Sequence, residues 1–243
     1  MKSIIRYAKI FWILFWAGIM TVALFIPVLL ASVLSSTGNL AFSISKVWAR
    51  VMLLVTAVRV DIRGKERTKE GQSYVIISNH QSQFDILAIV TALGIQYRWI
   101  IKQELLKIPL WGYALYASRN IFIDRSNPES ARESIRKGLD RLPAGTSVMF
   151  FAEGTRSPDG RLREFKKGGF FVAIERNYPI LPVTVNGSRK VLPKGSAEFH
   201  PGRISVIVGE PIDTRNYTRA MMGELMAKTR SVIESNLVVE PNP

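Results

Sequence analysis

An α/β fold, with a mostly parallel mixed sheet flanked by helices and a membrane-embedded helical hairpin at the N-terminus, follows from two patterns in this 243-residue chain. After Arg50, short β-branched or aromatic runs alternate with helix-compatible stretches, the pattern of strands joined by helical crossovers. Before it, no residue from Ile10 to Ser45 is charged. The length allows one medium domain with a sizeable core plus a small appendage. The expected division is 1–50 for a membrane-anchoring segment and 51–243 for the α/β domain.

The apolar run, IFWILFWAGIMTVALFIPVLLASVL, exceeds the roughly 20 residues that a spanning helix needs. It is too long for a cleaved signal peptide and carries no convincing cleavage site. Lys2, Arg6 and Lys9 precede it, and Lys46 and Arg50 follow the uncharged segment. Positive flanks prefer the cytoplasmic side, so two of them predict a re-entrant segment that dips into the membrane and returns. Its bend is expected at Pro27 or at Ser35-Ser36-Thr37-Gly38. That leaves two helices of about 15 residues each, short for full spans. Trp12, Trp16 and Trp48 lie near its ends, where interfacial aromatics gather.

Strands are expected over Val58–Ile62, Tyr74–Ser78, Tyr97–Ile100, Ile121–Ile123, Ser147–Phe151, Ile180–Val185 and Ile204–Val208. Helices are expected over Glu129–Leu142, Gly169–Arg176 and Ala220–Leu237. Pro128 suits an early helical position, and Pro143-Ala144-Gly145 a stop.

Composition narrows the chemistry. Without cysteine there are no disulfides, thiolate nucleophiles or thiolate metal sites, and two histidines exclude a His-rich metal cage. The formal charge of +14 calls for an anionic partner: nucleic acid, lipid headgroups or a phosphorylated substrate. No nucleic-acid-binding motif appears, and the apolar segment favours the lipid.

Ligands of open α/β sheets gather where strands end, and three polar clusters sit at such points. In "SNHQSQFD" (Ser78–Asp85), His80 and Asp85 are five apart, on different faces of a regular helix. They meet only if the chain turns between them. Asp85 would then hold one ring nitrogen and leave the other free as a general base; a capping Asp beside an unrelated histidine is the competing reading. In "FFAEGTRSPDGRLREFKKGG" (Phe150–Gly169), Gly154 allows a sharp turn, and Thr155 and Arg156 offer a hydroxyl and a phosphate-matching guanidinium. Arg161, Arg163, Lys166 and Lys167 add charge; a solvated turn at Ser157-Pro158-Asp159-Gly160 explains the same residues equally well. In "RNIFIDR" (Arg119–Arg125), Arg125 at a strand end is an anion ligand or a surface ion-pair partner. Neither a Gly-x-Ser-x-Gly elbow nor a Gly-x4-Gly-Lys-Ser/Thr loop is present. A base at His80 would therefore act on the substrate's own hydroxyl.

These clusters, in this order, resemble the blocks of the glycerolipid acyltransferase family. "NHQSQFD" is similar to its first block, "RNIFIDR" to the second, "FAEGTRS" to the third and "ILPVTV" to the fourth. "IKQELLKIP" is similar to the lysine-containing stretch between the first two. Several ordered blocks, covering roughly Arg59 to Pro211, are far more specific than any one. Arg119 stands where the second block often has glycine, a change expected to bear on the acceptor pocket. Ala152 stands where the third often has proline, a backbone adjustment.

The resemblance implies acyl transfer from an acyl thioester, acyl-ACP or acyl-CoA, to the sn-2 hydroxyl of lysophosphatidic acid, without metal or cofactor. It assigns His80 as base and Asp85 as its orienter. It places Lys102, Arg125, Glu153, Gly154, Thr155 and Arg156 around the acceptor's glycerol phosphate. It also implies residence on the cytoplasmic face of a membrane (the inner membrane in a bacterium) rich in anionic lipids. The competing expectations are another acceptor, glycerol-3-phosphate or a different lysolipid, and a non-enzymatic basic lipid-binding module tethered to the membrane.

Overall fold

The 33-residue helix α1 (Lys2–Leu34) opens the structure, a computed structural model that describes residues 2–124 and 126–239. It runs through Pro27 unbroken. The bend expected at Pro27 or Ser35–Gly38 is at the latter, because the turn chemistry is there. Ser35 and Thr37 hydroxyls hydrogen-bond each other, Thr37 Oγ1 accepts from Asn39 N, and Gly38 takes φ +74°. The expected pair of 15-residue helices is thus corrected to one long helix and a 17-residue one, α2 (Asn39–Val55). At ~1.5 Å per residue, α1 is long and apolar enough to cross a membrane.

β1 (Val58–Arg63) leads to β2 (Val75–Ser78), α3 (Phe84–Ala92), β3 (Tyr97–Lys102), α4 (Trp111–Ala117), β4 (Ile121–Ile123) and α5 (Pro128–Asp140). β5 (Ser147–Phe151), α6 (Gly168–Arg176), β6 (Ile180–Asn186), α7 (Ser188–Val191), β7 (Gly202–Val208) and α8 (Met222–Ser235) follow. All seven strands expected from the sequence form one sheet in the order β1-β7-β6-β2-β5-β3-β4. Every pairing is parallel except β6 with β7. α5 starts as its sequence predicts, with Pro128 in the first turn and the Asn127 side chain accepting from Glu129 N and Ser130 N. α3 and α4 were not among the expected helices; both are short apolar runs, whose periodicity separates helix from strand poorly.

Successive side chains of a strand point to opposite faces, and β2 shows the result. Ile76 joins α2 (Phe42, Ala49, Leu53) and α3 (Ala88, Ile89) in one core. Val75 and Ile77 join α5 (Ile135, Leu139), α6 (Phe170, Ala173) and α8 (Leu225, Ile233) in the other. β2 is buried along its whole length, as a central parallel strand must be. α2 therefore shares its core with the sheet. Its turn from α1 is fastened to the same body: Arg98 Nη2 donates to Thr37 O (3.0 Å) and Asn39 Oδ1 (2.5 Å), and Arg119 Nε to Ser36 O (3.1 Å).

Candidate active site

β2, β5 and β6 run parallel; Ser78 and Phe151 align at the carboxyl ends of β2 and β5, beside Val183 of β6, which runs on to Asn186. The loops leaving those ends build the site. After β2 the chain turns before α3 begins, which brings His80 Nδ1 to 2.8 Å from Asp85 Oδ2. The carboxylate is fully buried, and the imidazole is 13% exposed. A ring that donates from Nδ1 to this carboxylate has Nε2 on its other side to serve as acceptor. The same Asp85 oxygen accepts from Gln81 N (2.6 Å) and Ser82 N (2.9 Å). Asp85 is thus both the cap of the turn and the partner of the histidine.

The surplus of polar residues around His80 is scaffolding. Asn79 exchanges two hydrogen bonds with the backbone of Val185 at the end of β6 (2.9 and 2.8 Å). Gln81 Nε2 donates to Gly160 O, and Ser82 Oγ to Leu192 O. Each side chain ties the His80 loop to a different neighbour. The imidazole stacks on Phe151, centroids 3.7 Å apart and planes within 8°. Nothing in the sequence marked Phe151 as the surface on which the ring rests.

The loop after β5 faces this turn. Gly154 has φ +68°, the left-handed conformation that lets the chain reverse after Phe151. Glu153 is buried, and its two oxygens accept from His80 N (3.0 Å) and Arg163 N (3.1 Å). Burial raises its carboxyl above the usual range, against those two hydrogen bonds. Both oxygens of Glu153 thus hold backbone. Ser157 N donates to His80 O (2.7 Å), so the two loops are locked to each other, and Lys194 Nζ, in the stretch after α7, donates to Arg156 O (2.7 Å).

Between them opens a cleft of about 760 Å³. His80, Glu153, Gly154, Thr155 and Arg156 line one end of it. α5 and α6 form its walls, and Ile77, Ile100, Ile123 and Phe150 its floor. Lys102 ends β3 outside this lining, paired with Glu104 at 2.8 Å. Arg125 lies outside the described residues. Arg119, expected to bear on the acceptor pocket, does not line the cleft. It takes φ +57°, the conformation that suits glycine there, and reaches to the α1–α2 turn. Ala152 N donates to Ser78 O (2.8 Å), a bond that a proline would lack. Among the described residues no group of His, Asp and Glu is arranged to hold a metal ion.

Comparison with known proteins shows the family. The model of the family described as Acyltransferase matches residues 59–186. The chain is 36% identical over 171 residues to the chloroplastic 1-acyl-sn-glycerol-3-phosphate acyltransferase of Brassica napus, covering 70% of this chain and 49% of that one. It therefore spans about half the length of that relative. It is 30% identical over 195 residues to the 1-acyl-sn-glycerol-3-phosphate acyltransferase of Pseudomonas aeruginosa, covering 78% of this chain and 75% of that one. The crystal structure of the 1-acyl-sn-glycerophosphate acyltransferase PlsC of Thermotoga maritima superposes with a TM-score of 0.83 at 26% identity, over 97% of this chain and 96% of that one. A family model that matches more than half of the residues, around the paired histidine and aspartate, settles the kinship: the chain belongs to the acyltransferase family.

Proposed function

We propose that this protein transfers a fatty acyl group from an acyl thioester to the sn-2 hydroxyl of lysophosphatidic acid, forming phosphatidic acid. The observation that carries the reading is the His80–Asp85 pair opening into a cleft whose rim holds Arg156. The relatives' names supply the substrate. In this reading His80 Nε2 takes the proton of the sn-2 hydroxyl as its oxygen attacks the thioester carbon. The C–S bond breaks, and the protonated ring returns the proton to the leaving thiolate. Asp85 stabilises the imidazolium in between. The products are an ester and a free thiol, and no redox partner or metal is consumed. The donor is acyl-ACP or acyl-CoA, each presenting the thioester on a phosphopantetheine arm.

Arg156, with Thr155, holds the acceptor's phosphate, and Gly154 supplies the turn that presents them. Glu153 acts as a positioning residue through His80 N. The test is kinetic. Purified protein given lysophosphatidic acid and an acyl thioester should release phosphatidic acid and thiol in equal amounts; no product with either donor sinks the reading. Arg156→Ala should raise the acceptor KM by roughly tenfold or more, the scale of a lost charge-assisted contact, and leave the donor KM nearly unchanged. Arg156→Lys should recover part of the loss, since an ammonium brings charge without the planar fork. A defect confined to the donor KM would assign the loop to the other substrate.

The membrane reading rests on how α1 is held. Near its start, Lys9 pairs with Glu198 (3.3 Å) and Trp12 Nε1 donates to Val55 O (2.7 Å). Near its end, Ser32 bonds Tyr113 (2.9 Å), and Arg98 and Arg119 grip the turn. One domain thus touches both ends of a helix longer than the ~30 Å hydrocarbon core. A full crossing would drag that domain through the bilayer. We infer that α1 lies along one membrane face. It exposes a stripe of Phe11, Phe15, Ile19, Val22, Ile26 and Leu30, an apolar face suited to the headgroup boundary. Basic residues near that surface add about 1 kcal/mol each on anionic, cytoplasmic-face lipids. Tags at residues 1 and 243 should be accessible from the same, cytoplasmic side in right-side-out and inverted vesicles; opposite accessibility would restore a spanning α1.

A further inference from the structure

The helical wall of the cleft carries a cluster that acceptor binding leaves unused. Phe171 of α6 faces the cleft, and two guanidinium groups sit against its ring. Arg132 from α5, which lines the cleft, lies 5.9 Å from the ring centroid, and Arg219, just before α8 and next to the lining at Met222 rather than in it, lies 4.7 Å from it. Neither arginine pairs with a carboxylate among the described residues, whereas Arg136, one turn along α5, is engaged by Glu133 (2.7 Å) and Asp140 (3.8 Å). Lys166 and Lys167 line the same cleft, also without an acidic partner among the described residues, and Glu175 is the one carboxylate on this wall. A guanidinium held over an aromatic face keeps its N–H donors for other partners. Two cations beside one ring cost like-charge repulsion, which a bound anion relieves.

We propose that Arg132 and Arg219, organised on Phe171, bind the phosphate of the donor's phosphopantetheine arm. This deepens the acyltransferase reading and rests on it. The substrate's covalent structure decides which phosphate belongs here. In lysophosphatidic acid the attacking oxygen and the phosphate are on adjacent carbons, so that phosphate stays beside His80, on the Arg156 loop. In the donor, the phosphate is at the far end of the arm from the thioester. An anion site on the helical wall therefore matches the donor. The apolar floor between, with Ile77, Ile123 and Phe150, suits the arm's methylene and methyl groups.

The experiment compares wild type with Arg132→Ala, Arg219→Ala and the double variant, with acyl-CoA, acyl-ACP and a phosphate-free acyl-pantetheine as donors. Each single variant should raise the donor KM about tenfold with both acyl-CoA and acyl-ACP, and the acceptor KM should stay within about twofold. With acyl-pantetheine most of the gap between wild type and variants should close. A purely structural role would leave the gap equally wide with acyl-pantetheine and overturns the proposal. So do unchanged donor KM values, a rise with only one of the two phosphorylated donors, or a rise in the acceptor KM alone. If the wild type transfers no acyl group from any donor, the acyltransferase reading fails first, an outcome separate from all of these.

Discussion

His80→Ala should lower kcat and kcat/KM together by at least about 10²-fold, the scale of positioned acid–base catalysis. A proton acceptor acts only as the barrier is crossed, so neither KM should move much. The fold has little reason to fail. His80's structural bonds are made by its backbone, N–H to Glu153 Oε1 and C=O from Ser157 N–H, and alanine keeps both. What the substitution removes is the ring's stack on Phe151 and the bond to Asp85. Membrane association should be unaffected, because none of the polar ties between α1 and the domain is made by the His80 side chain. The decisive measurement is steady-state turnover on lysophosphatidic acid beside a vesicle-flotation control. Wild-type turnover would remove His80 as the base. Loss of flotation together with turnover would mean that the substitution had unfolded the protein.

How much of this could be read in the sequence depended on whether the signal was local. The sheet was legible because each strand carries its own β-branched run: Val75–Ser78 and Ile180–Asn186 are buried throughout and read as continuous apolar stretches. The reversal of β7 against β6 was not, since residue order carries no direction and the Gly187–Pro201 connection is long enough for either. The His80–Asp85 contact was legible only in part: the spacing allowed it if the chain turns between them, but left a capping Asp beside an unrelated histidine open, and the resemblance to the family chose between the two. The stacking of His80 on Phe151, and of Arg132 and Arg219 on Phe171, joins residues far apart in the chain. Neither end of those contacts has a local signature. Arg119 is the instructive error. Its departure from a glycine pattern pointed to the pocket, whereas its cause is backbone conformation: φ +57° suits glycine, and here the arginine's grip on Ser36 accompanies that strain.

Asp85 separates what holds the loop from what serves the reaction, and two substitutions should pull these apart. Its Oδ2 accepts from His80 Nδ1, Gln81 N and Ser82 N at once, within a fully buried side chain. Asp85→Ala leaves two backbone N–H groups buried and unpaired at the start of α3. It should cost about 2–4 kcal/mol by the scale of buried unsatisfied donors, read as a lowered Tm. Asp85→Asn is different. Two N–H groups already point at the Oδ2 position, so the amide must place its oxygen there and its NH2 where Oδ1 now has no hydrogen-bond partner. That oxygen still accepts from Gln81, Ser82 and the His80 Nδ1–H, so loop and tautomer both survive. What changes is the charge, together with an amide NH2 buried where no acceptor meets it. The imidazolium formed as the hydroxyl proton moves then loses a charged hydrogen bond of about 1.5–3 kcal/mol, or roughly 10- to 10²-fold in kcat. Both KM values should hold, and the Tm should fall less than in Asp85→Ala. Equal losses of Tm in the two variants would show that the backbone N–H groups do not set the amide's orientation. A wild-type kcat in Asp85→Asn would show that the carboxylate caps α3 and does nothing for His80.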